Sequence, residues 1–318
     1  MIRNTVIGYI VRPPRGRYND SHLSSSIKLP NGDTIYRQPI ILSNSRNQTI
    51  IGSFYPSSCL SPGNPCVVYL HGNASNQIEG TYLLQYLNDL GISLCCFDAS
   101  GSGNSDGEYI SLGYFERNDL NSVINFIRKE KKVENIVLWG RSMGAAIAPW
   151  YAGEHSDICG IVCDSPYCSL TDIAKDLVYG NWFLSLLLKF AIPYVNWSLK
   201  KQYGFKIDDV NPISTVKKAK CPALFIHSYS DTFINIRESR ELYQAYGGAE
   251  KYLLTVPGNH NSERSISTLW TILRFILNCF DFEIEDSELV NNTVNDNDSI
   301  NDNSSQHFEN LSDMFSNM

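Results

Sequence analysis

The residues Gly140-Arg-Ser-Met-Gly144 are those best suited to nucleophilic chemistry. They follow the apolar run Asn135-Ile-Val-Leu-Trp139, which predicts a buried strand, and the small residues Ala145 and Ala146 come next. A serine on a tight strand-to-helix turn needs small residues two positions to either side, because larger side chains would collide there. A helix that begins at this turn also favours negative charge developing near its N-terminus. We therefore predict Ser142 as a nucleophile.

A serine nucleophile needs a base, and the base needs an acid that orients it. His260 and Asp231 each lie in a loop soon after an apolar run that predicts a strand, Tyr252–Val256 and Ala223–Ile226 respectively. The chain order Ser, Asp, His is the one that accompanies a serine on this kind of turn. We predict His260 as the base and Asp231 as its acid. Asp164 is the rival acid, which we interpret as a support for the serine turn.

Attack on an acyl carbon creates an oxyanion, which fixed hydrogen-bond donors must stabilise. The predicted strand Cys66–Leu70 ends in His71, Gly72 and Asn73, and a glycine there lets the backbone approach a substrate. We predict the backbone N–H groups of Asn73 and Met143 as the oxyanion hole. His71 precedes the serine in the chain and belongs to this turn, so we interpret it as structural and not as the base.

The glycine-rich run Asp98–Gly107 superficially resembles a dinucleotide-binding loop. Gly101 and Gly103 have the first spacing of G-x-G-x-x-G, but the third glycine falls one position late, at Gly107. We interpret this run as a tight structural turn after the predicted strand Ile92–Phe97. The nine cysteines also fit no metal-ligand spacing. We expect neither a cofactor nor a metal.

The regions between these motifs alternate between strand and helix patterns. Residues 25–56 predict short strands with a turn at Asn31-Gly32, because β-branched and polar residues alternate there. From Cys66 onward, strand-like apolar runs alternate with segments of helical periodicity. The predicted helices include 83–90, 120–127 and 266–276. This alternation predicts an α/β fold with a mostly parallel sheet of about eight strands, covered by helices on both faces.

The chain divides into an N-terminal arm (1–24), one α/β domain (25–282) with an insertion (167–218), and a tail (283–318). Ten of the 33 acidic residues and none of the 26 basic ones lie from Asp281 onward, which leaves the body slightly basic. A tail rich in Asn, Asp and Ser has too little apolar surface to fold, so we predict that it is disordered. The body has no strong basic field, which argues against a nucleic-acid partner.

The insertion contains Trp182–Trp197, which is apolar nearly all round. Lys189 and Pro193 argue against a membrane span. We predict a small helical cap over an acyl chain, with packing helices that have no role in binding as the alternative.

The first residues carry the arginines Arg3, Arg12, Arg15 and Arg17 beside a short uncharged run. This pattern suits a peripheral membrane contact through the N-terminal arm, and an arm packed on the domain is the alternative. An odd number of cysteines without a recognisable signal peptide favours a reducing compartment. We therefore expect a cytoplasmic protein, acting as a monomer, with or without that membrane contact.

Taken together and in order, these motifs resemble the α/β-hydrolase superfamily over roughly residues 10–280. Within it, the chain is most similar to the serine aminopeptidase (S33-like) group of α/β-hydrolase-domain proteins, nearest the depalmitoylase-like branch. The resemblance implies the α/β-hydrolase fold and serine-esterase chemistry. The animal depalmitoylases carry a cysteine-rich, palmitoylated N-terminus, whereas this chain has no cysteine before Cys59.

Three functions are compatible with the sequence. The first is a serine hydrolase that cleaves an ester or thioester of a small molecule or an acylated protein, as a thioesterase active in depalmitoylation would. The second is a serine aminopeptidase, which needs an acidic group to hold the substrate's ammonium. The third is a non-catalytic module, a class that usually lacks one residue of the Ser-Asp-His set. Ser142, Asp231 and His260 are all present, which favours the enzymes.

Overall fold

The computed structural model describes residue 8 and residues 11–59, 61–176 and 178–282. The tail predicted at 283–318 therefore lies outside the described residues, as does most of the chain before residue 11.

An eight-stranded sheet runs through the described residues, in the order β10-β9-β8-β7-β5-β6-β4-β3. Its strands are β3 (Gln38–Ser43), β4 (Thr49–Tyr55), β5 (Cys66–Leu70), β6 (Ser93–Phe97), β7 (Ile136–Arg141), β8 (Gly160–Asp164), β9 (Ala223–Ser228) and β10 (Lys251–Val256). The pairs from β6 to β10 are parallel, and β3 and β4 add an antiparallel edge. Strands β5 to β9 are buried except for Arg141 at the end of β7, as the continuous apolar runs of a covered parallel sheet require. The predicted mostly parallel sheet is confirmed.

A separate hairpin pairs β1 (Ser26–Lys28) with β2 (Thr34–Tyr36). Its connection contains the predicted turn, where Gly32 has a φ of 98° that residues with a Cβ rarely adopt.

Helices alternate with the strands of the sheet along the chain. They are α1 (Leu84–Leu87), α2 (Glu116–Lys131), α3 (Met143–Glu154), α4 (Leu170–Asp176), α5 (Trp182–Tyr203), α6 (Ile236–Ala245) and α7 (Ile266–Cys279). Helices α2, α3 and α6 share one apolar core with alternate strand residues such as Val68, Leu138 and Phe225. The intervening residues Tyr69 and Trp139 point the other way and pack against each other. Successive side chains of a strand point to opposite faces of the sheet, so each face has its own set of strand residues to pack against.

Two helical segments differ from their sequence-based prediction. The region predicted as a helix over 83–90 begins as a 3₁₀ helix at Gln77–Leu83, and α1 itself has only four residues. Helix α6 has no predicted counterpart, because its exposed positions are strongly charged and few apolar residues mark its buried face.

Candidate active site

Ser142 lies on the turn between β7 and α3, with φ 53° and ψ −112°. A backbone in this region is unfavourable for a residue with a Cβ. A Cβ added to Gly140 would lie 2.2 Å from the carbonyl carbon of Gly144, and one added to Gly144 would lie 2.0 Å from the carbonyl oxygen of Leu70. Both glycines are therefore required for the turn, as the spacing predicts.

Ser142, His260 and Asp231 form one chain of hydrogen bonds. Oγ of Ser142 lies 3.0 Å from Nε2 of His260, and Nδ1 of the same ring lies 2.7 Å from Oδ2 of Asp231. The three residues follow β7, β10 and β9, whose parallel carboxyl ends meet at one edge of the sheet. An imidazole held in this way can accept the hydroxyl proton as the serine oxygen attacks an acyl carbon.

The side chain of Asp231 is fully buried. Its Oδ1 accepts hydrogen bonds from the backbone N–H groups of Phe233 and Ile234, each at 2.9 Å. Nε2 of His227 lies 2.9 Å from the carbonyl oxygen of Ile234 and 3.4 Å from Oδ2 of Asp231. Burial raises the pKa of the Asp231 carboxyl, but hydrogen bonds from His227, His260 and the Ile234 backbone outweigh it and hold the pKa well below its usual range. Asp231 is therefore an anion at neutral pH.

Asp164, the rival acid, supports the serine turn instead. Its backbone oxygen accepts the N–H of Ser142 at 2.8 Å. Its carboxylate is bound by Arg264, with Nε at 2.8 Å from Oδ2. The arrangement matches the interpretation of Asp164 from the sequence, whereas its partner Arg264 has no motif that would identify it.

The turn after β5 lies against Ser142. A Cβ added to Gly72 would be 3.7 Å from Cβ of Ser142, so this backbone passes close to the serine. Within the described residues, no acceptor takes the N–H of Asn73 or of Met143. No described acceptor therefore occupies either donor proposed from the sequence, and their role as an oxyanion hole stays a prediction.

Two side chains hold this turn in place. Nδ1 of His71 donates to the carbonyl oxygen of Gly72 at 2.7 Å, and Nε2 accepts from the N–H of Ala99 at 3.1 Å. The carboxylate of Glu79 accepts from the N–H of Gly72 at 3.2 Å and from the hydroxyl of Tyr69 at 3.0 Å. His71 is structural, as predicted, while Glu79 is a support that no sequence motif indicates.

A cavity of about 660 Å³ opens at Ser142. Its lining comes from the N-terminal arm, the turn after β5, the serine turn and the loops that carry the acid and the base. The lining residues are Arg17, Tyr18, His22, Gly72, Asn73, Ser75, Asn76, Ile78, Glu79, Arg141, Ser142, Phe233, His260 and Asn261. No residue of α5 is among them, so the cap predicted over an acyl chain does not line this cavity in the described residues.

The arm is attached to the glycine-rich turn at Asp98–Gly107. The guanidinium of Arg15 donates to the carbonyl oxygens of Ser102, Gly103 and Gly107 at 2.8 to 3.0 Å. The hydroxyl of Tyr18 donates to Asp98 at 2.6 Å. The alternative of an arm packed on the domain therefore holds for residues 15–18, and the turn serves as its attachment site. The sequence gives no signal for this contact, because about 80 to 90 residues separate the partners.

The described residues contain no group of side chains suited to hold a metal ion. In the same part of the chain, no helix has the length and apolar character needed to cross a membrane.

Comparison with known proteins agrees with this architecture. The structure of an esterase from Pyrococcus furiosus, Pf2001, superposes with a TM-score of 0.63 at 21% identity, covering 84% of this chain and 97% of that one. A family model described as serine aminopeptidase, S33, matches residues 62–207. The chain therefore has the α/β-hydrolase fold.

Two relatives illustrate the range of sequence similarity. YqkD of Bacillus subtilis is 26% identical over 202 residues, which cover 61% of this chain and 64% of YqkD. The lysophosphatidylserine lipase ABHD12 of Danio rerio is 23% identical over 188 residues, or 57% of this chain and 47% of the lipase. The chain thus spans less than two thirds of either relative's length.

Proposed function

We propose that the protein is a serine hydrolase that cleaves an ester or thioester through an acyl-enzyme on Ser142. The observation that carries the proposal is the hydrogen-bond chain from Ser142 through His260 to the buried carboxylate of Asp231. In the first step His260 takes the hydroxyl proton at Nε2 while Oγ bonds to the acyl carbon. Asp231 stabilises the imidazolium that forms.

The oxyanion of the tetrahedral intermediate accepts hydrogen bonds from the backbone N–H groups of Asn73 and Met143. Its collapse breaks the bond to the leaving group, which receives the proton from Nε2 of His260. Water then attacks the acyl-enzyme with His260 as base, which releases the acid and restores the Ser142 hydroxyl.

The charge of the cavity supports a substrate with an anionic group. Glu79 is the acidic residue of its described lining, and Nη1 of Arg141 lies 3.3 Å from its carboxylate. Arg17 also lines the cavity, and its guanidinium has no hydrogen bond or ion pair with any described residue. We propose that Arg17 binds a phosphate or carboxylate on the leaving group of the ester. Lysophosphatidylserine, which appears in the name of the relative from Danio rerio, is an ester with such an anionic leaving group. An acylated protein remains the thioester candidate.

The aminopeptidase alternative needs a carboxylate free to bind an ammonium. Glu79 already accepts hydrogen bonds from Gly72 and Tyr69 and pairs with Arg141. In the described lining there is no second acid, which disfavours this alternative. The nine cysteines, all within the described residues, are free thiols, and we propose a reducing, cytoplasmic setting for the enzyme.

A fluorophosphonate probe tests the proposal, because it reacts with an activated serine. The wild-type chain should be labelled at Ser142, and the Ser142→Ala variant should not. A panel of acyl thioesters, lysophospholipids, p-nitrophenyl esters and aminoacyl amides then separates the substrate classes. Turnover of the amides alone would favour the peptidase, and an unlabelled wild-type chain would favour a non-catalytic module.

A further inference from the structure

Helix α5 exposes most of its large apolar side chains. Trp182 is 78% exposed and Phe190 is 73% exposed, and Tyr179 just before the helix is 89% exposed. We call the whole set the α5 surface: Tyr179, Trp182, Phe183, Leu184, Leu186, Leu187, Phe190, Tyr194 and Trp197. An apolar patch of this extent on a folded domain marks an interaction site.

The polarity of α5 is the reverse of that of an ordinary surface helix. At its C-terminal end the polar residues Asn196 and Ser198 are buried, while Trp197 between them is exposed. Asn196 donates to Asp208 at 2.6 Å and accepts from the N–H of Ile207 at 2.8 Å. These contacts attach the helix to the domain and turn its apolar residues outward.

Local signals specify the helix at both ends. The side chain of Asn181 accepts the N–H of Leu184 at 3.1 Å, which is an N-cap. Gly204, with a φ of 83°, ends the helix in the left-handed conformation. The exposed apolar residues are therefore carried by a defined helix.

The charge around the α5 surface selects its partner. From residue 177 to residue 207 the sequence has no Asp or Glu and has the four lysines Lys189, Lys200, Lys201 and Lys206. Trp and Tyr beside lysine are typical of a helix that lies in the interface of a bilayer with anionic lipids. A second copy of this chain would instead bring lysines against lysines. Since no described helix could cross a bilayer, a position in its surface layer is the appropriate one.

We propose that the α5 surface docks the protein on an anionic lipid bilayer. The geometry also relates this surface to the candidate active site. Asp176 lines a cavity together with Asp231 and Phe233, and α5 begins six residues after Asp176. Six residues span at most about 20 Å. Phe233, itself 65% exposed, lines the cavity at Ser142 as well, so docking would bring lipid near the site.

The test is flotation of the full chain with phosphatidylcholine vesicles, with and without phosphatidylserine. We expect the wild type to bind the vesicles that contain phosphatidylserine and to bind them less at high salt. The double variant Trp182→Ser/Phe190→Ser should lose about tenfold or more of this binding, because it removes two large apolar groups from the interface. Lys189→Gln/Lys200→Gln/Lys201→Gln should lose the preference for phosphatidylserine.

The matched control is Tyr36→Ser/Ile41→Ser, which removes two equally exposed apolar side chains, 67% and 68%, from β2 and β3. It should bind vesicles as the wild type does. Unchanged melting temperatures establish that all variants fold. The proposal is overturned if the wild type fails to bind the anionic vesicles, or if both double variants bind equally. Self-association in the absence of lipid that Trp182→Ser/Phe190→Ser abolishes would assign the surface to a second copy instead.

Discussion

Arg264 binds the carboxylate of Asp164 through Nε and Nη2, and both side chains are about 95% buried. This ion pair explains which acid serves His260. The oxygens of Asp164 are occupied by a guanidinium, whereas Oδ2 of Asp231 lies 2.7 Å from the imidazole. From the sequence alone, both acids follow a predicted strand and both are candidates.

We expect Asp231→Asn to reduce kcat by about 10⁴-fold. The amide oxygen can still accept from the backbone N–H groups of Phe233 and Ile234, so the loop should keep its shape. The amide cannot stabilise an imidazolium or hold the productive tautomer. The measurement is kcat on a p-nitrophenyl ester, with the melting temperature as a check on folding.

Asp164→Asn should have the opposite profile. It leaves the buried Arg264 without an anionic partner, which should lower the free energy of unfolding by about 3 kcal/mol. Turnover by the folded fraction should fall far less than in Asp231→Asn. Urea denaturation and kcat measured on the two variants side by side check both statements. A stable, inactive Asp164→Asn beside an active Asp231→Asn would reassign the acid.

The backbone of Ser142 leads to a prediction about stability. With φ 53° and ψ −112°, any residue with a Cβ is strained there, and this strain is about 1–3 kcal/mol. Ser142→Gly relieves this backbone strain but increases the conformational entropy of the unfolded chain. Ser142→Ala changes neither quantity. We therefore expect the glycine variant to exceed the alanine variant by about 1 kcal/mol in the free energy of unfolding. Urea denaturation of both would show it, and an equal or more stable alanine variant would contradict it.

Acid titration tests the buried anion at Asp231. Its folded pKa lies below the unfolded value of about 3.9, so its ionised form stabilises the fold above that pH. This contribution is lost as the pH falls through the unfolded value toward the folded one. The difference in unfolding free energy between wild type and Asp231→Asn should therefore narrow from about pH 5 to about pH 2. A difference that stays constant over this range would mean that Asp231 has no depressed pKa.

The parts of the site that follow local rules were predictable from the sequence. Ser142 is marked by glycine spacing, and Asp231 and His260 are marked by their positions after strand-like runs. The positions of Arg17 and Arg264 near the site were not predictable. The fold brings each of them there from a segment that has no periodicity and no catalytic motif. Such long-range placement leaves no local trace in one sequence.

The α5 helix shows a different limit. A helix that is apolar all round normally indicates burial, which is why the sequence predicts a cap over an acyl pocket. In the structure its apolar residues are exposed, while the described lining of the cavity at Ser142 comes from other segments. An apolar sequence pattern indicates that a helix surface is kept from water. It does not distinguish a surface covered by protein from one covered by lipid. The role of 167–218 as a substrate cap stays a prediction.

Substitution of Arg17 tests the proposed anionic leaving group. If its guanidinium binds that group, Arg17→Gln should lower kcat/KM for lysophosphatidylserine relative to a monoacylglycerol with the same acyl chain. The two esters share the acyl chain and differ in the leaving group, so their ratio isolates the contact. Arg17 is exposed, and a contact of about 1 kcal/mol corresponds to a fall of about fivefold in the ratio.

Two further variants test whether the ratio of the two kcat/KM values depends on the charge of Arg17 itself. Arg17→Lys keeps the charge and should retain most of the preference. Arg12→Gln is the matched control, because Arg12 also belongs to the arm but pairs with Glu108 outside the cavity lining. It should leave the ratio unchanged, whereas equal falls in Arg12→Gln and Arg17→Gln would show a general effect of arm charge. Fluorophosphonate labelling of Ser142 in Arg17→Gln distinguishes a failure of the proposed Arg17 contact from a failure of the serine hydrolase proposal. A labelled variant with an unchanged ratio would contradict the role of Arg17 while leaving the serine hydrolase proposal intact.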